Sequence, residues 1–242
     1  MKKLGIIIVN RNHLNYIRNI VVDLANQDSK DFDVVIVDNG SDEKNTKSAL
    51  ESLYEKHDFI RAINYTNKNE PLNHLWNAFL DFAYYDYYCF MNNDMRLAHN
   101  FVSSTIQAFE KEPNVGCVAH TTNHPKFSMV SNELEYVIFK DKYRQGWDFT
   151  MRRDAYTTIP SQLHFFCGDD FLFENLYKKG FRFAMVLNSP IIHYQGMTPR
   201  VKGISNRDIT NYKKLGYPHP RLDICFAYSQ FKPTFEKFTY KP

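Results

Sequence analysis

Along the first half of the chain, apolar and polar positions repeat in one order: an unbroken apolar run, a polar cluster, then apolar residues at helical spacing. Residues 4–9 (Leu-Gly-Ile-Ile-Ile-Val) form a continuous, β-branched run, the pattern of a strand buried on both faces. Leu14, Ile17, Ile20, Val21 and Leu24 then recur at the three-and-four spacing of one helix face. The cycle repeats with a strand over 32–37 and a helix carrying Ala49, Leu50, Leu53 and Tyr54. A third strand over 59–65 precedes a helix over 72–82, with Leu72, Leu75, Trp76, Phe79 and Leu80 facing inward. The aromatic run 87–91 is a fourth strand. Such alternation predicts a doubly wound parallel sheet with right-handed crossovers.

The second half is less regular. A helix is expected over 101–109, and a strand over 115–119 after the turn at Pro113-Asn114. From Thr121 to about Trp147 the periodicity breaks down, apart from a strand over 134–139, and this stretch reads as an irregular, substrate-shaping region. A strand over 149–153 follows, then a helix over 171–179 closed by Gly180. Two strands, 181–187 and 191–193, and a short helix near 208–214 complete the pattern, ahead of a Pro- and aromatic-rich tail.

Composition narrows the function classes. The 242 residues, 43% hydrophobic, suffice for one α/β core with an appendage. A net charge of +3 permits an anionic ligand but is far from the Lys/Arg density of a dedicated nucleic-acid binder. The four cysteines (Cys89, Cys117, Cys167, Cys225) form no Cys-x-x-Cys pair and read as reduced core residues of a cytoplasmic protein. No apolar run approaches the ~20 residues that span a bilayer, so no transmembrane segment is expected.

The chemistry lies where the strands stop. Asn10-Arg11-Asn12, Asp38-Asn39-Gly40-Ser41, Asn67-Lys68-Asn69 and Asn92-Asn93-Asp94 each follow a predicted strand, and in a parallel sheet those ends share one edge. One such cluster is ordinary for a strand-to-helix loop; four on one edge suit a nucleotide crevice. No Gly-x-Gly-x-x-Gly follows the first strand and no phosphate-binding Gly-x-x-x-x-Gly-Lys-Ser/Thr is present. Phosphates would then be held by side chains and a divalent cation, for which Asp94, flanked by amides, is a suitable ligand.

These motifs carry a resemblance. The first strand with Asn10-Arg11, Val37-Asp-Asn-Gly-Ser-Asp42 and Phe90-Met-Asn-Asn-Asp94 resemble, in order and spacing, the nucleotide-sugar half of family 2 glycosyltransferases with the GT-A fold. The run from Phe101 to Val118, Cys167-Gly-Asp-Asp-Phe-Leu-Phe-Glu-Asn-Leu-Tyr-Lys-Lys-Gly180 and Ile192-His-Tyr-Gln-Gly-Met-Thr198 are similar to later segments of that family. Two departures stand out: Asn92 occupies the first position of the DXD motif, and Gly168 replaces the Glu of the Glu-Asp motif.

The resemblance implies an α/β, GT-A type, Rossmann-like and mostly parallel sheet flanked by helices, with a C-terminal extension. It divides the chain into a domain over 1–200 (nucleotide-sugar half 1–120, acceptor half 121–200) and an extension over 201–242. It implies inverting transfer from a nucleoside-diphosphate sugar to a hydroxyl of a glycan, lipid-linked or protein acceptor, a nucleic-acid base being less favoured. Asp169 or Asp170 would be the general base; at a helix N-terminus its pKa is expected to be lowered. Asp94 would hold Mn²⁺ or Mg²⁺, with His193 as second ligand or diphosphate contact. Asn10, Arg11, Asp38, Asn39, Asn69, Asn73, Asn92 and Asn93 would contact the nucleotide sugar. Asp38, accepting from a base N3–H, would favour UDP or dTDP. Asn77 lies in the same segment as Asn73, and Arg152 and Arg153 could reach a phosphate or the acceptor. The tail aromatics Tyr228, Phe231, Phe235, Phe238 and Tyr240 are expected to pack against the core or a homodimer partner. A non-catalytic nucleotide-sugar or glycan-binding protein of the same fold is the alternative.

Overall fold

The computed structural model describes residues 2–122, 133–140, 142–194 and 206–217, together with the backbone of 202–205 and 235–240. Cys225, Tyr228 and Phe231 lie outside the described residues, as do the side chains of Phe235, Phe238 and Tyr240.

The first half follows the pattern closely. Strands β1 (Leu4–Asn10), β2 (Phe32–Asn39), β3 (Ile60–Thr66) and β4 (Tyr87–Asn92) alternate with helices α1 (Leu14–Ala25), α2 (Thr46–Lys56) and α3 (Leu72–Phe82). β1 pairs in parallel with both β2 and β4, and β2 with β3, so all four C-terminal ends meet at one edge. A three-residue strand, β5 (Met95–Leu97), was not expected. After it come α4 (Phe101–Lys111), β6 (Val115–Thr122), β7 (Leu134–Phe139), β8 (Asp148–Arg152), α5 (Gly168–Lys178), β9 (Arg182–His193), α6 (Lys202–Lys214) and β10 (Phe235–Tyr240).

The sheet runs β10-β7-β9-β6-β8-β4-β1-β2-β3, with β5 on β9. Parallel pairing holds for β3-β2-β1-β4 and for β6 on β9; β8, β7, β5 and β10 join antiparallel. The two strands expected over 181–193 are one, β9. Asn188, Ser189 and Pro190 break its apolar run, yet Asn188 is satisfied in place, its Oδ1 accepting the Glu135 N–H at 3.0 Å. The C-terminal extension contributes at least a strand, since β10 pairs with β7 across the sheet edge.

Two apolar layers cover the sheet. One holds Ile17, Ile20, Leu24, Leu50, Phe101 and Phe109 against Ile6, Ile8, Ile36 and Cys89. The other holds Trp76, Phe79, Phe171, Leu172 and Leu176 against Ile7, Val35, Phe90 and Phe149. Strands enclosed on both faces need unbroken apolar runs, which is why 4–9, 32–37 and 87–91 were legible as strands. Cys89, Cys117 and Cys167 are buried and free, as the scattered cysteines implied. Among the described residues, no helix is long and apolar enough to cross a membrane.

Candidate active site

The edge formed by β1, β2 and β4 gathers most of the expected residues. Asn10 is fully buried at the end of β1, between Asp38 and Asn93. It donates to Asp38 Oδ1 (3.4 Å) and accepts at its own Oδ1 from Asn93 Nδ2 (2.9 Å). Ser41 Oγ also donates to Asp38, and itself accepts the Asn12 N–H at 2.7 Å. Asn12 Oδ1 then takes the N–H groups of Asp42 and Glu43, and Glu43 Oε2 caps the first turn of α1 at Leu14 N–H (3.0 Å). Asn12 and His13 hold φ values of 59° and 56°, the left-handed conformation that lets the chain turn back here. Arg11 is exposed on the same loop.

Asn39 is differently employed. Its Nδ2 donates to Asn69 Oδ1 (3.0 Å) and Glu70 O (2.9 Å), while its Oδ1 accepts from Glu70 N–H (2.8 Å) and Thr66 Oγ1 (3.0 Å). Its hydrogen-bonding capacity is therefore spent on clamping the loops after β2 and β3 together. Gly40, at φ 69°, completes the clamp, for a Cβ there would lie 2.5 Å from the Lys68 carbonyl carbon.

Asp94 and His193 meet across β5 and β9: Met95 pairs with His193, and Tyr194 N–H donates to Asp94 O (3.0 Å). His193 Nε2 lies 3.2 Å from Asp94 Oδ1 and 3.5 Å from Asn92 Nδ2. Two cis ligands of an octahedral cation with bonds of roughly 2.1 Å sit about 3 Å apart, so this spacing suits one shared ion. One carboxylate and one imidazole, leaving the other positions to phosphate and water, match Mn²⁺ better than Mg²⁺. Among the described residues, no group of three or more His, Cys, Asp or Glu side chains could hold a metal without such outside ligands. Arg96 on β5 forms a bidentate ion pair with Asp23 of α1 (2.7 and 2.8 Å), and Asp23 also accepts the Leu97 N–H. That pair anchors the short strand beneath the site.

Asp169 and Asp170 open α5, as expected, but in contrasting surroundings. Arg144 Nη1 donates to Asp170 Oδ1 at 2.5 Å, and its other terminal nitrogen to Glu174. Asp169 has no such partner: burial, and then the neighbouring Asp170 charge, push its pKa up to about 7. The expected lowering by the helix N-terminus does not prevail. The backbone amides of Asp169 and Asp170 and the charge of Arg144 do pull downward, but desolvation outweighs them. The residue as a whole is half-buried, with its Oδ2 packed against Gly146.

Three other expectations are redirected. Asn73 is buried under the Gly168 turn, where it donates to Phe166 O (3.3 Å), and a Cβ on Gly168 would lie 2.0 Å from its Oδ1. Asn77 binds Ile159 O, Ile159 N–H and Tyr156 Oη, clamping the 156–159 loop. Arg152 and Arg153 sit at the opposite end of β4: Arg152 donates to Val115 O (2.7 Å) over the rings of Tyr87 and Phe109, and Arg153 stacks on Tyr84. Long side chains at the N-terminal edge of β4 cannot reach its C-terminal edge. Sequence reasoning passed over His120, Arg144, Gly146, Trp147 and Asp148, each of which has a partner more than twenty residues away; the one local signal was a Gly-Trp pair in a polar stretch.

Comparison with known proteins places this fold. In solved structures the fold is similar to the mannosyltransferase PcManGT from Pyrobaculum calidifontis in complex with GDP-Man and Mn²⁺, with a TM-score of 0.65 at 15% identity, over 83% of this chain and 58% of that one. It is similar also to GalNAc-T7 with UDP, GalNAc and Mn²⁺ (TM-score 0.69, 12% identity, 88% of this chain and 48% of that one). S. aureus TarS in complex with UDP gives a TM-score of 0.60 at 16% identity, over 78% of this chain and 60% of that one. A curated relative, the teichoic acid poly(glycerol phosphate) polymerase of Staphylococcus epidermidis, is 27% identical over 129 residues, and the match spans 52% of this chain but only 18% of that protein. The family model for glycosyl transferase family 2 matches residues 5–176, from β1 through the Asp169-bearing helix. With the GT-A architecture, the strand-edge cluster and most of its length inside that match, the chain belongs to glycosyl transferase family 2.

Proposed function

We propose that the protein is an inverting glycosyltransferase that moves a sugar from a nucleoside diphosphate, UDP or dTDP, to an acceptor hydroxyl, with Asp169 as general base. The observation that carries this reading is the divergence of two adjacent carboxylates. Asp170 is committed to Arg144, while Asp169 holds its proton near neutrality, where a base both accepts readily and is substantially ionised. As the acceptor oxygen bonds to the anomeric carbon, Asp169 takes its proton and the bond from that carbon to the diphosphate oxygen breaks on the opposite face.

Asp38, ordered by Asn10 and Ser41, supplies a buried acceptor for the base N3–H, with Asn93 held on Asn10 and Arg11 exposed on the loop that follows. Asp94 and His193 would hold Mn²⁺ or Mg²⁺, which when bound supplies Lewis-acid stabilisation to the departing diphosphate. Asn39 and Asn69 act by shaping the loop over the nucleotide. In this reading residues 1–120 serve the donor, 121–200 the acceptor, and the extension beyond them completes the sheet edge. The name of the relative, a teichoic acid poly(glycerol phosphate) polymerase, directs the choice of acceptor toward hydroxyls of a polymer of that kind.

The test is calorimetric titration of nucleoside diphosphates, with and without Mn²⁺, on wild type and Asp94→Ala, followed by transfer assays with the donor that binds. Metal-dependent UDP or dTDP binding, abolished in Asp94→Ala, is expected. Binding indifferent to both metal and Asp94, or none to any nucleotide, would overturn the donor-site assignment and favour a non-catalytic glycan-binding role.

A further inference from the structure

Residues 142–148, between β7 and β8, are tied alternately to α5 and to the sheet. Lys142 Nζ donates to Glu174 Oε2 (2.6 Å), Tyr143 N–H to Tyr177 Oη (2.6 Å), and Arg144 to Asp170 and Glu174. Gln145 turns the other way, donating from Nε2 to His120 O (3.0 Å) and to Asp148 Oδ1. Gly146 faces α5 again: a Cβ built on it would sit 2.0 Å from Asp169 Oδ2, so the base carboxylate rests where a side chain would otherwise be. Trp147 returns to the sheet. Its ring stacks on His193 (5.6 Å, 18°), its Nε1–H donates to Thr122 Oγ1 (2.8 Å), and its carbonyl accepts the Asn92 N–H (3.0 Å).

The anchors of this dipeptide are buried. Gln145 and Asp148 are 2% and 1% exposed, and His120 and Thr105 are fully enclosed. Thr105 Oγ1 lies 2.7 Å from Phe101 O, to which it gives its only proton, so His120 Nε2–H must donate to Thr105 (3.3 Å). His120 Nδ1 and Asp148 Oδ2, 3.2 Å apart, then share one proton, and the pair is neutral whichever partner holds it. A neutral, fully hydrogen-bonded pair is what a dry core tolerates, and it leaves the segment little freedom to shift.

Resting on the reading of Asp169 as base, we infer that His120, Asp148 and Gln145 are positioning residues that hold Gly146-Trp147 as a rigid crossbar, seating the Asp169 carboxylate on one side and backing the His193 ring on the other. The crossbar thereby sets the spacing between the proton acceptor and the cation side of the site. In this reading Gly146 and the buried network act through the groups they place.

The test reads Asp169 without substrate. Carboxyl carbon-13 NMR, assigned by loss of the signal in Asp169→Asn, follows its titration in wild type, Gly146→Ala and His120→Ala, with thermal melts to show that each is folded. Mn²⁺ affinity in the presence of the bound nucleoside diphosphate is measured in parallel. Gly146→Ala is expected to drop the Asp169 midpoint by at least one unit from about 7, by expelling the carboxylate into solvent, with Mn²⁺ affinity within about twofold of wild type. His120→Ala is expected to loosen both sides, lowering the midpoint and weakening Mn²⁺ binding about tenfold. A folded His120→Ala with both quantities as in wild type would reduce the network to core packing, and an unmoved midpoint in Gly146→Ala would remove the seat; either overturns the crossbar. A wild type that transfers no sugar would instead count against the catalytic reading, leaving the titration results to judge the crossbar alone.

Discussion

Replacing Asp169 by Asn is expected to slow turnover by orders of magnitude and, at neutral pH and above, to stabilise the fold. In the folded protein burial raises the carboxyl pKa from 3.8 to about 7, so the native state binds this proton more tightly than the unfolded chain does. Native stability therefore falls as pH rises from about 4 to about 7, and above that window the cost is complete. Three pKa units correspond to about 4 kcal/mol, an upper bound; the desolvation of the replacing amide leaves about 2 kcal/mol. For a chain of this size that raises Tm by about 4–8 °C at pH 8, and below pH 4, where the native carboxyl is protonated and only the amide's cost remains, the variant should be the less stable of the two. Loss of the base should lower kcat by about 10²–10⁴ with donor KM unchanged. Asp170→Asn is the control. It strips Arg144 of one partner while Glu174 remains, so it should destabilise by about 1–3 kcal/mol at neutral pH. Thermal melts across pH and steady-state kinetics decide the matter. An Asp169→Asn protein no more stable than wild type at pH 8, or one retaining kcat within tenfold, would refute the reasoning.

Other outcomes follow from the same geometry. The wild-type kcat should fall about tenfold per pH unit below 7, and a profile flat to pH 5 would contradict the raised Asp169 pKa. Gly168→Ala should cost about 1–3 kcal/mol because Asn73 blocks its Cβ, and pairing it with Asn73→Ala should recover at least half of that in a double-mutant cycle of chemical denaturation. Cys89, whose thiol burial pushes up to about 12, and buried Cys117 and Cys167 should resist a thiol reagent in a Cys225→Ser background until the protein unfolds.

The parts of the molecule that were legible in the sequence are those where one local pattern has one physical solution. Strands enclosed by two helical layers must be unbroken apolar runs, and their polar stops fall on one edge because the strands are parallel, so Asn10, Asp38, Asn93 and Asp94 could be grouped before any contact was known. β5 escaped because three residues carry no period; it exists by virtue of β9 and the Arg96–Asp23 pair, made across more than seventy positions. β9 was divided because Asn188 and Pro190 look like a turn until Asn188 is seen to be hydrogen-bonded in place. Asn39 and Asn77 had the right chemistry for a ligand and the right addresses, yet their amides are consumed by loops folded back from elsewhere in the chain, while Asn73 gives its Nδ2 to such a loop and keeps a buried Oδ1 without a partner. Amide side chains serve backbone and ligand equally well, and only tertiary structure decides between them.

Gly168 shows why a departure from a family pattern need not mean lost function. Read as sequence, it is a missing Glu beside the base, and it lent weight to a degenerate binding protein. In the structure, the space above Gly168 belongs to Asn73, which is 1% exposed and donates to Phe166 O, so α3 packs directly onto the turn that launches α5. A Glu could not be accommodated there without expelling Asn73. Cys167, at φ 61°, holds the left-handed geometry that begins this turn, a strained conformation for a non-glycine residue that surrounding contacts must maintain. Asp169 is thus placed by packing from above and by the absence of a side chain at Gly146 from the side. Burial of that carboxylate is what raises its proton affinity toward neutrality.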